Sequence, residues 1–194
     1  MPAAVDRTRA LRGAVAGAVA AGVWALQQPL DKKVFGSDYD DIEWLGRAIG
    51  GERWYPVGLA LHLVNGAVFG AAYATVAPAL PVPAVIRGPA VAVAENCALW
   101  PLTPVSDRFH PARTALPKLA GNRRALAQAT WRHLLFGVVL GELDRRFNAE
   151  PEPAPLAPPA PQATNYSTNG HGPSHDAATA VVRATVESED DSDN

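Results

Sequence analysis

Two long stretches without charged residues dominate the hydropathy pattern of the chain. No Asp, Glu, Lys or Arg occurs in the 18 residues from Gly13 to Leu30, or in the 33 residues from Trp54 to Ile86. About 20 apolar residues are enough for a helix to cross the hydrocarbon core of a bilayer. Each stretch therefore predicts a membrane-spanning helix.

Two further apolar stretches carry few charges. Residues 88–106 contain Glu95 as their only charged residue, and residues 125–143 contain Arg132 and Glu142. Together the four stretches predict an all-α, four-span transmembrane helical bundle over residues 1–148, with spans at about 13–30, 57–77, 86–104 and 125–143.

The apolar stretches have two alternative interpretations besides a membrane bundle. A soluble bundle is compatible with many alanines and glycines, but the wet face of a soluble amphipathic helix carries charged residues, and the first two stretches have none. A cleaved signal peptide would explain the basic start and short apolar core of RALRGAVAGAVAAGVWA. An internal repeat argues against cleavage.

In this repeat, the first stretch matches the third in sequence, and the second matches the fourth. Arg12-Gly13, Trp24 and Asp31-Lys32 have counterparts in Arg87-Gly88, Trp100 and Asp107-Arg108, at spacings that agree within one residue. HLVNGAVFG at 62–70 matches HLLFGVVLG at 133–141, both of the form H-L-x-x-G-x-x-x-G. The sequence thus predicts two copies of one helical hairpin, which would be parallel repeats about an axis along the membrane normal.

Glycines four residues apart predict where helices pack. Such pairs leave a flat groove that another helix backbone can approach closely. The predicted helix-packing residues are Gly13, Gly17, Gly66, Gly70, Gly137 and Gly141. Between the first two spans, GSDYDDIEWLGRAIGG predicts a short helix capped by Ser37 or Asp38, with Ile42, Leu45 and Ile49 on one face, that stops at Gly50-Gly51.

The charge distribution separates a body from a tail. Residues 149–194 hold eight acidic residues and one arginine, a net charge of −7, whereas residues 1–148 hold 16 basic and 11 acidic residues, a net charge of +5. The tail is rich in proline and then acidic, a composition that cannot bury enough apolar surface to fold. It is predicted to be disordered.

Several polar residues are predicted to share one depth in the membrane. Counted from the ends of the predicted spans, they form an intramembrane polar layer: His62, Asn65, Glu95, Asn96, Arg132 and His133. A charged group at such depth costs about 2.5–3.5 kcal/mol and usually faces the bundle interior with a partner. We expect Glu95 to pair with Arg132 or with His133.

Three interpretations of this layer remain open from the sequence. The residues could join helices by interhelical hydrogen bonds, they could form an ion or proton path, or they could bind a ligand or metal. Two histidines and one glutamate can bind zinc, but no HExxH-type spacing supports a metal site. We predict no metal, and the first interpretation is preferred.

The chain lacks recognisable catalytic motifs. It contains no nucleophile elbow, phosphate-binding loop or dinucleotide fingerprint, and Cys97 as the single cysteine excludes an intramolecular disulfide. We therefore predict no enzymatic activity, no cofactor and no nucleic-acid partner.

Three segments resemble a known family. His62, Phe69 and Tyr73 in HLVNGAVFGAAY, the WPLTPVSD segment at 100–107, and HLLFGVVLGELDRR ending in Arg145-Arg146 are similar to the YagU-like small bacterial inner-membrane proteins. The resemblance covers roughly residues 9–148 and departs from the family in the Gly/Ala richness and the long acidic tail. It implies a multi-pass protein of the cytoplasmic (inner) membrane without an established reaction.

The sequence therefore predicts a structural or partner-binding membrane bundle. Its partners would be the lipid bilayer and either further copies of itself or another membrane protein. The alternative is a minimal transporter or proton-conducting bundle that uses the polar layer.

Overall fold

The computed structural model describes residues 6–149, and within them every regular element is helical, which confirms the predicted all-α class. Apart from Ala149, the tail predicted to be disordered lies outside the described residues. The α-helices of the described part are α1 (Arg7–Phe35), α2 (Asp41–Ile49), α3 (Trp54–Val76), α4 (Ala84–Leu99), α5 (Thr103–Phe109) and α6 (Arg123–Phe147).

Short polar side chains and one glycine define the ends of the long helices. Asp6 accepts a hydrogen bond from the backbone N–H of Arg9 and starts α1, and Asn122 accepts one from Ala125 and starts α6. Such caps satisfy N–H groups that have no partner within the helix. Gly36 ends α1 in the left-handed conformation, at φ 58°, which glycine adopts without a steric penalty.

The short helix α2 was predicted, but its cap was placed too early. Asp40, and not Ser37 or Asp38, accepts the hydrogen bond from the backbone N–H of Glu43 that starts the helix. Asp40 is the residue directly before the first helical turn, which is the position a capping side chain must occupy. The expected face is also incomplete, because Ile42 is buried but Ile49 is 73% exposed.

The third predicted span is shorter as an α-helix than the sequence indicated. The span was expected to reach residue 104, but α4 ends at Leu99, and a 3₁₀ turn over Trp100–Leu102 connects it to α5. Pro101 and Pro104 follow this end. Proline has no N–H to continue the α-helical hydrogen bonds, so two prolines within four residues change the helical geometry there.

Helices α1 and α6 form the centre of the fold. Helix α1 packs against both α3 and α6, α6 also packs against α4, and α2 covers α3. The spatial order of the long helices is therefore α3, α1, α6, α4. The buried core combines alanines of α1 with Trp24, Tyr73, Phe136 and Leu140.

The two outer pairs, α1 with α3 and α4 with α6, make the same glycine contact. A Cβ atom added to Gly17 would overlap the carbonyl oxygen of Gly66, and one added to Gly88 would overlap that of Gly137. The intervals from Gly17 to Gly88 and from Gly66 to Gly137 are both 71 positions. By this contact, Gly88 is equivalent to Gly17. The sequence alignment had instead matched Gly88 to Gly13, one helical turn earlier in α1.

Two helical stretches of the described chain, Arg7–Phe35 and Gly51–Ala79, are long and apolar enough to cross a membrane. The predicted third and fourth spans are not among them. Helix α4 has only 16 residues, and α6 carries Arg132, Glu142 and Asp144 within its length.

Candidate functional site

A cavity of about 380 Å³ lies between the helices at the level of the predicted polar layer. Ligand pockets commonly have volumes of about 300–1,000 Å³. Helices α1, α2, α3, α4, α5 and α6 all contribute to its wall. Of the six predicted polar-layer residues, five line the cavity: His62, Asn65, Glu95, Asn96 and His133.

On one side of the cavity, small residues allow α1 and α3 to pack closely against each other. Beyond Ala21, the contacts of Gly13 and Gly17 with Gly66 and Gly70 leave no room even for a methyl group. Because α1 and α3 approach so closely there, the cavity wall on α1 is limited to Ala21 and Trp24, which follow the glycines. Asn65, Leu99 and Leu102 line the cavity and are exposed.

Glu95 of α4 pairs with His133 of α6. A carboxylate oxygen of Glu95 lies 2.9 Å from Nε2 of His133, whose Nδ1 lies 2.7 Å from the backbone carbonyl oxygen of Ala129. Both ring nitrogens therefore face oxygen acceptors. A carbonyl oxygen only accepts, so Nδ1 can act only as the donor in its contact with Ala129.

His62 of α3 is a buried residue that packs against the Trp24 ring. The Trp24 ring makes edge contacts with both histidines, with ring centroids 5.1 Å from His62 and 4.8 Å from His133. His62 is 6% exposed, and its Nε2 atom has no hydrogen-bond partner among the described residues. A buried polar atom without a partner costs free energy, and this one belongs to a residue that lines the cavity.

The two asparagines of the layer have different surroundings. Asn96 is buried, and its side-chain amide donates a hydrogen bond to Thr130 Oγ1 of α6 over 3.1 Å. Asn65 lines the cavity from an exposed position on α3. Asn96 thus joins α4 to α6, whereas Asn65 is accessible at the edge of the cavity.

Arg132 lies outside the cavity lining and forms a separate ionic network. The guanidinium is fully buried, with Nε and Nη2 each 2.6 Å from the carboxylate oxygens of Asp31, and Nη1 3.0 Å from Asp41. Nη2 also donates to the backbone carbonyl of Tyr39, and the amide of Gln128 donates to Asp31 over 2.7 Å. Charge-assisted bidentate pairs of this kind are the strongest hydrogen bonds that proteins form.

The structure distinguishes between the two partners, Arg132 and His133, that the sequence left open for Glu95. Glu95 contacts His133, whereas Arg132 contacts Asp31 and Asp41. Residues 132 and 133 are neighbours on a helix, so their side chains point about 100° apart, and only one of them can face α4. The other faces α1 and α2.

Sequence reasoning missed the residues that neutralise Arg132. Asp31 had served only as a landmark of the repeat. Its position continues the buried stripe of α1, which runs from Gly17 through Trp24 and Gln28 to Asp31 at helical spacing. That spacing was the available indication that Asp31 faces the interior. Asp41 carried no such indication, because it reaches Arg132 from α2.

Asp41 joins the ionic network to the cavity. Its Oδ2 atom accepts hydrogen bonds from both Arg132 Nη1 and Trp24 Nε1, the latter over 2.8 Å, and the residue lines the cavity. Trp24 is thereby held in one orientation between the two histidines.

The connection between α1 and α2 carries the remaining ionisable groups of this network. Burial, and then the nearby Asp41 carboxylate, raise the pKa of Tyr39 well above its ordinary value. For Asp40, burial alone would raise the pKa, but hydrogen bonds from Lys32 and from the backbone of Glu43 lower it below its usual value. Tyr39 is therefore a neutral phenol and Asp40 a carboxylate near neutral pH.

The predicted packing glycines lie on both sides of this region. Gly13 and Gly17 of α1 contact Gly70 and Gly66 of α3, and Gly137 and Gly141 of α6 contact Gly88 of α4. Among residues 6–149, no group of three or more His, Cys, Asp or Glu side chains is arranged to hold a metal ion.

Comparisons of the chain with protein-family models, with curated proteins and with solved structures returned no match.

Proposed function

We propose that this protein is a multi-pass protein of the cytoplasmic membrane, in which α1, α3, α4 and α6 each cross the bilayer. The outward faces of these helices support the proposal. On α1, large apolar side chains are exposed along one face: Leu11, Val15, Val19, Leu26, Leu30 and Val34. Valines 64 and 68 on α3 and residues Trp131, Leu134 and Val138 on α6 are exposed as well. A soluble helix would direct such residues inward.

The interior supports the same proposal. The buried residues of α1 are mostly small or polar, including Gln28 and Asp31. Close packing of small residues and interhelical polar contacts are what hold helices together in lipid. The equivalent glycine contacts at a constant interval of 71 positions also support an origin from a duplicated hairpin. The resemblance to YagU-like proteins is the basis for the inner membrane.

Reporter fusions test the four spans. Fusions after residues 50, 82, 115 and 150 should give signals that alternate between the two sides of the membrane. If only the first two fusions differ, α4 and α6 lie on one side, and the bundle has two spans. A cytoplasmic signal from every fusion would exclude the membrane bundle.

Within this bundle, the proposed activity is the binding of a small molecule in the cavity. The observation that carries this proposal is that five polar residues from three helices line one open volume of about 380 Å³ instead of contacting one another throughout. Polar residues that only join helices would be expected to fill their own space. The sequence alone had favoured a structural or partner-binding role.

A variant that blocks the entrance of the cavity tests the proposed binding of a small molecule. Asn65 lines the cavity at an exposed position, so Asn65→Trp should obstruct it, whereas Val64→Trp adds the same side chain at a neighbouring exposed position outside the cavity lining. A fragment set would be screened by ligand-observed NMR on the full chain in nanodiscs. Fragments should bind the wild type and Val64→Trp but lose binding to Asn65→Trp. Equal binding to both variants would support the structural role instead.

Proton movement is a second candidate function, favoured by the contact between Glu95 and His133. Carboxylate and imidazole groups exchange protons near neutral pH. Liposomes containing the purified protein would be given a pH gradient, and internal pH would be followed with a fluorescent dye. A flux that Glu95→Gln abolishes would favour this function, and the absence of flux would exclude it.

A further inference from the structure

The cavity lining has acidic character. Two carboxylates, Asp41 and Glu95, lie in its wall, and no lysine or arginine occurs among the described residues that line it. Asp41 is paired from outside the cavity with Arg132, whose single positive charge it shares with Asp31. Glu95 is the carboxyl group that remains available to a bound molecule, and its side chain is 33% exposed.

Aromatic rings form much of the remaining wall. They are Trp24, Trp44, Phe69, Trp100 and Phe136. Phe136 connects several of them, with ring centroids 6.1 Å from Trp24 and 5.4 Å from Phe69, in both cases edge to face. The face of an aromatic ring attracts cations, most strongly for tryptophan, and cages of such rings bind quaternary ammonium groups. A wall of this composition beside a carboxylate favours a bulky organic cation.

Glu95 is held in place at this wall by α6. One of its carboxylate oxygens lies 2.9 Å from Nε2 of His133, whose Nδ1 lies 2.7 Å from the backbone carbonyl oxygen of Ala129. These two contacts fix the carboxyl group beside the aromatic rings of the cavity.

We propose that the cavity binds an organic ammonium ion, with its charge against Glu95 and its apolar groups against the aromatic rings. The inference rests on the proposed function and specifies its ligand. The positive charge of the ligand would be compensated by the carboxylate, which lowers the electrostatic cost of placing an ion in the cavity.

Other ionisable groups near the pair come from the surrounding elements. Tyr39 from the connection after α1, Asp41 from α2 and His62 from α3 line the same cavity, and Arg132 of α6 lies behind Asp41. Asp41 is paired with Arg132, and Tyr39 is a neutral phenol. A proton on His62 would oppose a bound cation, so the probes and variants are compared at one fixed pH.

The test uses three probes of one shape. Phenyltrimethylammonium carries the charge, tert-butylbenzene is its uncharged isostere, and benzoate is an anion of similar size. Binding to the full chain in nanodiscs would be measured by calorimetry at one fixed pH. The cation should bind at least about tenfold more tightly than its uncharged isostere, because only the cation is attracted by Glu95 and by the ring faces.

Two variants complete the test. Glu95→Gln keeps the shape of the side chain and should weaken binding of the cation by at least about tenfold. The matched control is Glu142→Gln, because Glu142 forms its ion pairs with Arg145 and Arg146 on the exposed face of α6. It should bind the cation as the wild type does. Thermal unfolding of each variant checks that it is folded.

The outcomes separate the inference from the proposed function. If tert-butylbenzene or benzoate binds as tightly as the cation and Asn65→Trp prevents it, the cavity binds ligands but the cationic class is wrong. If Glu95→Gln binds the cation as tightly as the wild type, Glu95 does not contact the charge and the inference is overturned. If none of the probes binds, both the inference and the proposed binding function are rejected.

An ammonium group can belong to a free molecule or to a lipid headgroup. Competition distinguishes the two sources. Displacement of the probe when phosphatidylcholine replaces phosphatidylglycerol in the nanodisc would assign the site to a headgroup. Displacement by dissolved tetramethylammonium in both lipids, with no effect of the lipid, would assign it to a free cation.

Discussion

The helix pair α1 and α3 and the helix pair α4 and α6 share a packing contact but differ in their chemistry. In both pairs a glycine of the first helix faces the carbonyl oxygen of a glycine in the second, Gly17 with Gly66 and Gly88 with Gly137. At the same interval of 71 positions, His133 corresponds to His62 and Glu95 corresponds to Trp24. Trp24 packs against His62, whereas a carboxylate oxygen of Glu95 lies 2.9 Å from Nε2 of His133.

This difference shows how the two pairs depend on each other. The first pair has uncharged stretches long enough to cross a membrane, and the second carries Glu95 and Arg132. Arg132 is neutralised by Asp31 and Asp41, which belong to the first half of the chain. Burying an ion is tolerable only when a partner compensates it. Asp31 and Asp41 thus provide the partners that allow Arg132 of α6 to be buried.

The largest expected effect comes from breaking this connection. Arg132→Met should destabilise the protein by about 3–5 kcal/mol, because it leaves two buried carboxylates without their cation. Thermal unfolding in detergent measures the loss. Arg145→Met, on the exposed end of the same helix, should have little effect. If Arg132→Met unfolds at the wild-type temperature, the two pairs are not held together by this network.

The shared glycine contact gives the next test. Gly17→Ala and Gly88→Ala should each destabilise the protein by about 1–3 kcal/mol, because the added methyl group meets backbone atoms of the facing helix. Gly22→Ala is the matched control on α1, since nothing lies within 4 Å of the added atom, and alanine favours the helix. A loss of stability at only one of the two glycines would show that the helix pairs are not equivalent.

A smaller effect is expected where the two pairs differ, at Glu95. Glu95→Leu should destabilise the protein by about 1 kcal/mol, because the pair is only partly buried, and Glu95→Gln should be milder because it retains hydrogen bonding. The double variant Glu95→Leu with His133→Leu should recover much of the loss. Unfolding temperatures of the three variants in detergent decide this. A stabilised Glu95→Leu would indicate that this side chain is not engaged in the bundle.

The smallest effect concerns the connection that follows α1. Lys32 Nζ lies 2.6 Å from Asp40 and helps to lower the pKa of that carboxyl group. Asp40 therefore stabilises the fold at pH values above about 3.9, the ordinary pKa of aspartate, and this contribution is lost as the pH falls through the lower pKa of the folded state. Asp40→Asn should cost less than about 1 kcal/mol at neutral pH.

The comparison of wild type and Asp40→Asn across pH completes this test. The difference in their unfolding temperatures should be constant from neutral pH down to about pH 5 and should shrink below about pH 4. A difference that grows with acidification would contradict the assigned direction of the pKa shift.

Much of the fold could be predicted because helix formation depends on nearby residues. The uncharged stretches, together with capping residues and prolines, placed four long helices close to their observed positions. The errors occurred at the ends, where Pro101 shortened α4 and Asp40 replaced the predicted caps of α2. The choice between one turn and the next depends on a few hydrogen bonds.

The candidate site was predictable only in part. Counting residues from the span ends brought Glu95 to the depth of His133, because antiparallel helices with a uniform rise align their positions at equal distances from a turn. The same count could not show that the cavity exists, or that Trp24 contacts both histidines. Those features depend on how closely the glycines let the backbones approach.

Local sequence was sufficient to determine the helices, their apolar outer faces and the depth of the polar residues, because each of these follows from spacing along one helix. Only the packed structure determined which ionisable side chains contact each other. Arg132 and His133 are adjacent in the chain, yet one contacts Asp31 and Asp41 and the other contacts Glu95. The reason is geometric: a side chain's partner is set by the rotation and register of two packed helices, and small residues far from the charges determine both.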